Sequence, residues 1–208
     1  MEVVSWIIGA YVAMIVIIDP FGVIPIYLTL TERNTETERK KIRRKASLIA
    51  ASLLLLVCFT GMGVFSIFGI TLPAFQIAGG ILMLLLGIEQ LNAKHSRVRQ
   101  EEKDEGMERE DVSVFPLATP LLAGPGAIST VVLYAADAGG WIRQTGLAAA
   151  ILAAVITSHV TLKASPILFR VLGKTGLNLM TRLMGILLTA IAIQFMINGI
   201  STIWPKTN

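Results

Sequence analysis

Six apolar runs, each close to the length needed to cross a bilayer core, constrain this chain more than any other feature. They cover approximately Val3 to Leu30, Ala46 to Gly69, Leu72 to Asn92, Val112 to Ala136, Gly146 to Leu168 and Gly176 to Ile203. Backbone in hydrocarbon has to satisfy its own hydrogen bonds, so runs of this length predict transmembrane α-helices. Composition agrees. Of 208 residues 54% are hydrophobic and 15% charged, with a mean hydropathy of +0.70, too little polarity to solvate the surface of a soluble domain. The chain is expected to be an all-α integral membrane protein with the lipid bilayer as its surroundings. The N-terminus lacks the basic region and small-residue cleavage pattern of a secretory signal, so Val3 onward reads as the first span of the mature protein.

The charges fall in two stretches, Glu32 to Lys45 and Lys94 to Asp111. The net charge of +4 therefore describes loops, and no nucleic-acid partner is expected. Lys and Arg crowd the loops after the first and third runs and flank the turn between the fifth and sixth, from Lys163 to Arg182; the opposite side holds only Arg143 and Lys206. By the positive-inside rule both termini lie outside the cytoplasm, and "RKKIRRK", Arg39 to Lys45, is a cytoplasmic anchor. Trp6, Trp141 and Trp204 then all sit at outer span ends, as an interfacial belt requires. The single cysteine, Cys58, forms no internal disulfide or multi-cysteine metal site and reads as a small core residue.

Three runs, a charged stretch and three more runs divide the chain into residues 1–93, a cytoplasmic linker at 94–111, and 112–208. At an offset of 105 residues Pro20 falls on Pro125, Gly80 on Gly185, Ile81 on Ile186, Leu82 on Leu187 and Ile88 on Ile193. An odd number of spans per half turns the second half upside down. The expected architecture is six transmembrane helices in two inverted three-helix repeats, with helices 1 and 4 broken.

The breaks are Asp19-Pro20-Phe21-Gly22-Val23-Ile24-Pro25 in the first half and "LAGPGAIST", Leu122 to Thr130, in the second. Proline removes a backbone donor and glycine weakens a helix, so each span should unwind near its middle. Free N–H and C=O groups at membrane depth are tolerable only inside protein or beside a polar cavity. Two such breaks meeting near the midplane would offer a positive helix end to an anion and carbonyls to a cation, a setting that suits a small zwitterion. The candidate binding residues are Asp19, Pro20, Phe21, Gly22, Pro25, Gly124, Pro125, Gly126, Ser129 and Thr130.

Asp19 is a candidate to take up a proton or to pair with an ammonium or sodium ion. It is equally placed to cap the half-helix that starts at Pro20. Ser129 and Thr130 either offer hydroxyls to the site or bond their own i−4 carbonyls. His159, mid-span in "TSHVT", is either a proton relay for ion coupling or an interhelical hydrogen-bonding group. Glu89, near the cytoplasmic end of its span, reads as a solvated carboxylate. Gly79, Gly80, Gly87 and Gly185 read as close-packing positions between helices.

Together "DPFGVIPIYLTLT", "PLATPLLAGPGAIST" and "GLNLMTRLMGILLTAIAIQFMINGI" resemble the MarC family of bacterial and archaeal six-span inner-membrane proteins over essentially the full chain. The resemblance implies a secondary carrier of small neutral amino acids such as glycine and alanine, coupled to a cation gradient, H+ or Na+, with no bound cofactor. An exporter or channel for another small solute is the alternative. A channel needs a continuous polar lining, which the mostly apolar spans lack. An intramembrane enzyme is not expected: Asp19 has no second intramembrane aspartate, His159 no second histidine, and no H-E-x-x-H zinc spacing or other metal site occurs. A homo-oligomer is compatible with the sequence, and no feature requires one.

Overall fold

The computed structural model describes residues 2–68, 71–92 and 111–204, without the side chains of 61–68 and 72. The expected linker, apart from Asp111, lies outside the described residues, as does Lys206. The chain is helical throughout them: α1 (Glu2–Ile18), α2 (Pro20–Leu30), α3 (Glu36–Phe68), α4 (Leu72–Leu91), α5 (Ser113–Leu122), α6 (Pro125–Asp137), α7 (Trp141–Lys163) and α8 (Ser165–Ile203).

Among the described residues, four segments are long and apolar enough to cross a membrane: Glu2–Leu30, Pro73–Leu91, Trp141–Lys163 and Ser165–Ile203. The pair Ser113–Leu122 and Pro125–Asp137 makes a fifth if its 51° bend is taken within one span. The remaining expected crossing, Ala46 to Gly69, lies in α3 and runs into residues whose side chains are not described.

Long aliphatic side chains such as Leu56, Leu85, Ile156 and Leu187 face outward, while Ala10, Ala13, Ala127, Ala150 and Ala154 are buried. Where hydrocarbon replaces water there is no gain in hiding leucine, and small residues let backbones approach. Gly146 shows the effect, since a Cβ there would collide with Ile7 of α1.

The most extensive packing joins α4 to α8, which run antiparallel: Gly80 lies against Ala192 and Met196, and Gly185 against Gly87 and Leu91. The helices α1 and α2 pack on α7, while α5 and α6 pack on α3; α2 also packs on α8, and α6 on α4.

Local signals fix several helix ends. A capping box opens α3: Thr35 N–H donates to Glu38 Oε2 at 2.7 Å and Glu38 N–H to Thr35 Oγ1 at 3.4 Å. These bonds from Thr35 hold the exposed Glu38 carboxyl below its ordinary range. At the same end of the bundle Lys45 Nζ meets Asp111 Oδ2 at 2.5 Å. Hydrogen bonds from Lys45 and then Ser113 draw the Asp111 carboxyl below its usual range. At the far end Trp6 Nε1 donates to Asp137 Oδ2 at 2.8 Å, tying the start of α1 to the close of α6.

One boundary differs from expectation. The fifth run was expected to reach Leu168, but α7 stops at Lys163 and a new helix starts at Ser165. Pro166 withdraws a backbone donor there, and the carbonyl of Ala164 instead accepts from Ile167 and Leu168. α8 is itself interrupted at Gly173, with φ 60° and ψ −176°, a region essentially reserved for glycine.

Candidate functional site

Asp19 is the whole of the first break. The ladder of α1 runs up to its N–H, which donates to Ile15 O at 3.1 Å, and α2 begins from its carbonyl, which accepts from Val23 N–H at 3.2 Å. Between these bonds the residue sits in the left-handed region, φ 45° and ψ 65°, fully buried. Its Oδ1 accepts from Gly22 N–H at 3.1 Å. Pro20 at the first position of α2 has no N–H to offer Val16, and Gly22 has turned to the Asp19 side chain, so carbonyls at the end of α1 are left without their usual i+4 donors. The capping expectation is met in full, and the cap is built from a buried carboxylate.

The first break is thus shorter than expected. Pro20, Phe21, Gly22 and Pro25 all belong to α2. Proline at a first helical position fits the helix, and Pro25 removes one ladder bond without ending α2. Its carbonyl accepts from Thr29 Oγ1 at 2.9 Å.

The second break is longer upstream than expected. Two bonds in this region are widened, Leu117 N–H donating to Val112 O and Ala123 N–H to Ala118 O, each five residues back. Phe115 and Thr119, each followed by a cis peptide to proline, have extended backbone inside this segment. The chain then bends at Ala123 and Gly124 and starts α6 at Pro125. Gly124 is required here, because a Cβ would strike the carbonyl oxygen of Pro120. The expected break from Leu122 to Thr130 is therefore limited to Ala123 and Gly124, with Pro125, Gly126, Ser129 and Thr130 inside α6.

The helices flanking the two breaks touch. A Cβ on Gly126 would lie 2.8 Å from Ile17 Cδ1, so the first turn of α6 presses on the last turn of α1, two residues before Asp19. Leu86 of α4 closes the same contact, also at 2.8 Å. Thr130 is committed to its own helix: its hydroxyl donates to Gly126 O at 2.9 Å and lies 3.8 Å from Met83 Sδ. Ser129 lies across from Gly79 of α4.

His159 is not with these groups. It lies one turn before the end of α7, not at mid-span, and its Nδ1 is 3.0 Å from Ser47 Oγ of α3. That contact is of the interhelical kind. Beside it is a group the sequence reading missed. Arg43, assigned to the cytoplasmic anchor, is only 4% exposed. It donates from Nη1 to the buried Tyr27 hydroxyl at 2.9 Å and from Nη2 to Glu36 at 3.2 Å. The signal was present in α3: Arg43, Ala46, Ser47, Ala50, Leu54 and Cys58 follow helical spacing, and all are buried. Glu89 is exposed, as expected.

Among the described residues no three His, Cys, Asp or Glu side chains come together to hold a metal ion. The arrangement is one buried carboxylate, two helix breaks whose flanking turns are in contact, and a separate buried arginine cluster.

The chain is similar to proteins described in the same terms across bacteria and archaea. A UPF0056 membrane protein of Pyrococcus abyssi is 36% identical over 200 residues, 96% of either chain. UPF0056 membrane proteins of Methanocaldococcus jannaschii and Escherichia coli are each 34% identical over 197 residues, 94% of this chain and 96% and 92% of theirs. No solved structure matches significantly. The profile described as "MarC family integral membrane protein" matches residues 4–204. With three-motif resemblance, relatives and profile in agreement over nearly its whole length, the chain belongs to the MarC family of integral membrane proteins.

Proposed function

We propose that this protein is a secondary transporter of small neutral amino acids, glycine- or alanine-like, coupled to an H+ or Na+ gradient across the cytoplasmic membrane of a bacterium or archaeon. The observation that carries the reading is the contact between the helices that flank the two breaks, at Ile17 of α1 and Gly126 of α6, with Asp19, the one buried carboxylate among the described residues, two residues beyond Ile17. A buried acid beside interrupted helices is what ion-coupled carriers use to hold a cation, and the carbonyls at the end of α1 add neutral ligands. The protein acts by carriage and not by catalysis.

Six spans in two inverted halves belong to the same proposal. Its support is threefold. Third and sixth spans of such a plan must run antiparallel, as α4 and α8 do. Exchanging the halves maps the packing of α1 and α2 on α7 onto that of α5 and α6 on α3. An antiparallel helix pair always has a local two-fold axis, but nothing in that geometry demands glycine, and the offset of Pro125 from Pro20 also puts Gly185 on Gly80, both at the close contact.

The test is uptake of labelled glycine and alanine into liposomes carrying the purified protein, with sodium and pH gradients imposed separately. Accumulation driven by one gradient is expected and names the coupling ion. Folded protein that moves neither amino acid under either gradient sinks the reading.

A further inference from the structure

At the end of the bundle remote from Arg43 there is a pocket of about 270 Å³, built by the start of α1, the first turns of α4 and the ends of α6 and α8. Small-molecule sites hold about 300–1,000 Å³, so this one suits a ligand of few heavy atoms. Its walls have a definite chemistry. The rings of Trp6 and Tyr134 meet edge to face with centroids 5.3 Å apart, and those of Tyr134 and Phe195 at 5.7 Å. Asp137 adds a carboxylate beside Trp6.

We propose that this pocket is a docking site for the ammonium group of a small solute and, on the transport reading above, the station its substrate occupies before reaching the breaks. Aromatic faces attract cations, and Trp6 already holds one from outside the pocket lining: the Arg143 guanidinium carbon stands 5.6 Å from the centre of its ring. Three carboxamides complete the lining. Gln194 Nε2 donates to Asn198 Oδ1 at 2.8 Å, which holds that pair together. Gln76 is 9% exposed and makes no side-chain hydrogen bond to any described residue. Its carboxamide carries both a donor and an acceptor, which it can offer to something that enters the pocket. Ammonium at the rings and Asp137, with a carboxylate or hydroxyl at Gln76, fits a small amino acid. The pocket and the break share one helix: Leu133 in the pocket wall packs on Gly79 of α4, one turn of α6 from Ser129 and two from Gly126. On α6 the pocket residues Leu133 to Asp137 lie two to three turns beyond Pro125, about 12–18 Å from the break, so these are two sites.

Trp6 is a reporter inside the pocket, while Trp141 and Trp204 are exposed at 76% and 79% and can be removed as Trp141→Phe and Trp204→Phe. Fluorescence of the remaining Trp6 in detergent is then titrated with methylammonium, glycine and acetate. A saturable change with the first two and none with acetate is expected. Asp137→Asn, whose amide oxygen still accepts from Trp6, should weaken methylammonium by at least about tenfold, the worth of a charge-assisted contact. Acetate acting as well as methylammonium, or Asp137→Asn leaving the titration unchanged, overturns the site. If Asp137→Asn does not elute as folded protein, Gln76→Leu replaces it, with glycine binding expected to weaken more than methylammonium binding and equal loss overturning the assignment of Gln76. An ethanolamine lipid headgroup carries the same ammonium, so the titration is repeated in nanodiscs with and without phosphatidylethanolamine. Competition by that lipid makes the headgroup the occupant and overturns the substrate station. Saturable binding without uptake overturns transport and keeps the pocket, whereas uptake without any titration keeps transport and overturns the pocket.

Discussion

Asp19 combines two demands that different residues would meet separately. A left-handed residue costs about 1–2 kcal/mol unless it is glycine, with Asn and Asp the most tolerant of the others. The same position has to cap α2, where Asn and Asp are again the preferred types. Asp19→Asn therefore preserves the conformation and the bond to Gly22 and removes only the charge. It is expected to fold and melt like the parent while gradient-driven uptake is abolished. Asp19→Ala loses the cap as well and should lower stability by about 1–2 kcal/mol. Thermal unfolding in detergent alongside liposome uptake separates the two effects. Normal uptake by Asp19→Asn would take the charge out of the mechanism and leave Asp19 a cap alone. Much of this was legible in the sequence, because an aspartate ahead of proline in an apolar run announces both possibilities. The single-residue extent of the break was not. It depends on packing that keeps Pro25 helical, and proline propensity alone argues for a longer interruption.

Among the helices, the α4–α8 pair is where the glycines count. A Cβ on Gly80 would lie 2.5 Å from Met196 Cγ and 2.8 Å from the Ala192 carbonyl oxygen, so backbone would have to move. On its neighbour Gly79 the nearest atom would be Leu133 Cδ1 at 3.2 Å, the end of a flexible side chain. Gly80→Ala should accordingly destabilise by about 1–3 kcal/mol, as overpacking does, whereas Gly79→Ala should stay close to the parent. Melting temperatures in detergent compare them directly, and equal melting of both variants would mean that α4 and α8 are not held at this separation. Apolar periodicity revealed these helices and their glycines. It could not reveal the form of α5, because extended backbone at Phe115 and Thr119 interrupts any regular period there, and Pro116 and Pro120 signal interruption without giving its form. Arg43 was missed for a related reason. Its six basic neighbours within Arg39 to Lys45 and the preceding Arg33 mark a membrane boundary, and only the buried spacing through Ser47 to Cys58 distinguishes one arginine from the rest.

The whole molecule has two chemically different ends. Tyr27, Arg43, Lys45, Asp111, His159 and Lys163 gather at one, and Trp6, Asp137, Trp141 and Arg143 at the other. Positive charge is retained on the cytoplasmic side and tryptophan settles at interfaces, so the expected orientation puts the basic end inside and the tryptophan end outside. An amino acid gathered from outside would then meet the aromatic pocket first, Asp19 next and the arginine cluster last. Cysteine accessibility tests this order because it depends on orientation alone. In a Cys58→Ala background, Glu32→Cys lies in the exposed turn between α2 and α3. Gly140→Cys lies in extended backbone with nothing within 4 Å of its Cβ, so neither substitution disturbs packing. A membrane-impermeant maleimide applied to intact cells should label Gly140→Cys and spare Glu32→Cys until the membrane is opened. The reverse pattern would turn the molecule over, put the pocket on the cytoplasmic side and make it a station for export. Labelling of both sites from outside would mean that an even number of the three segments between them, α3, α4 and the α5–α6 pair, crosses the bilayer, and the inverted-repeat plan would fail with it.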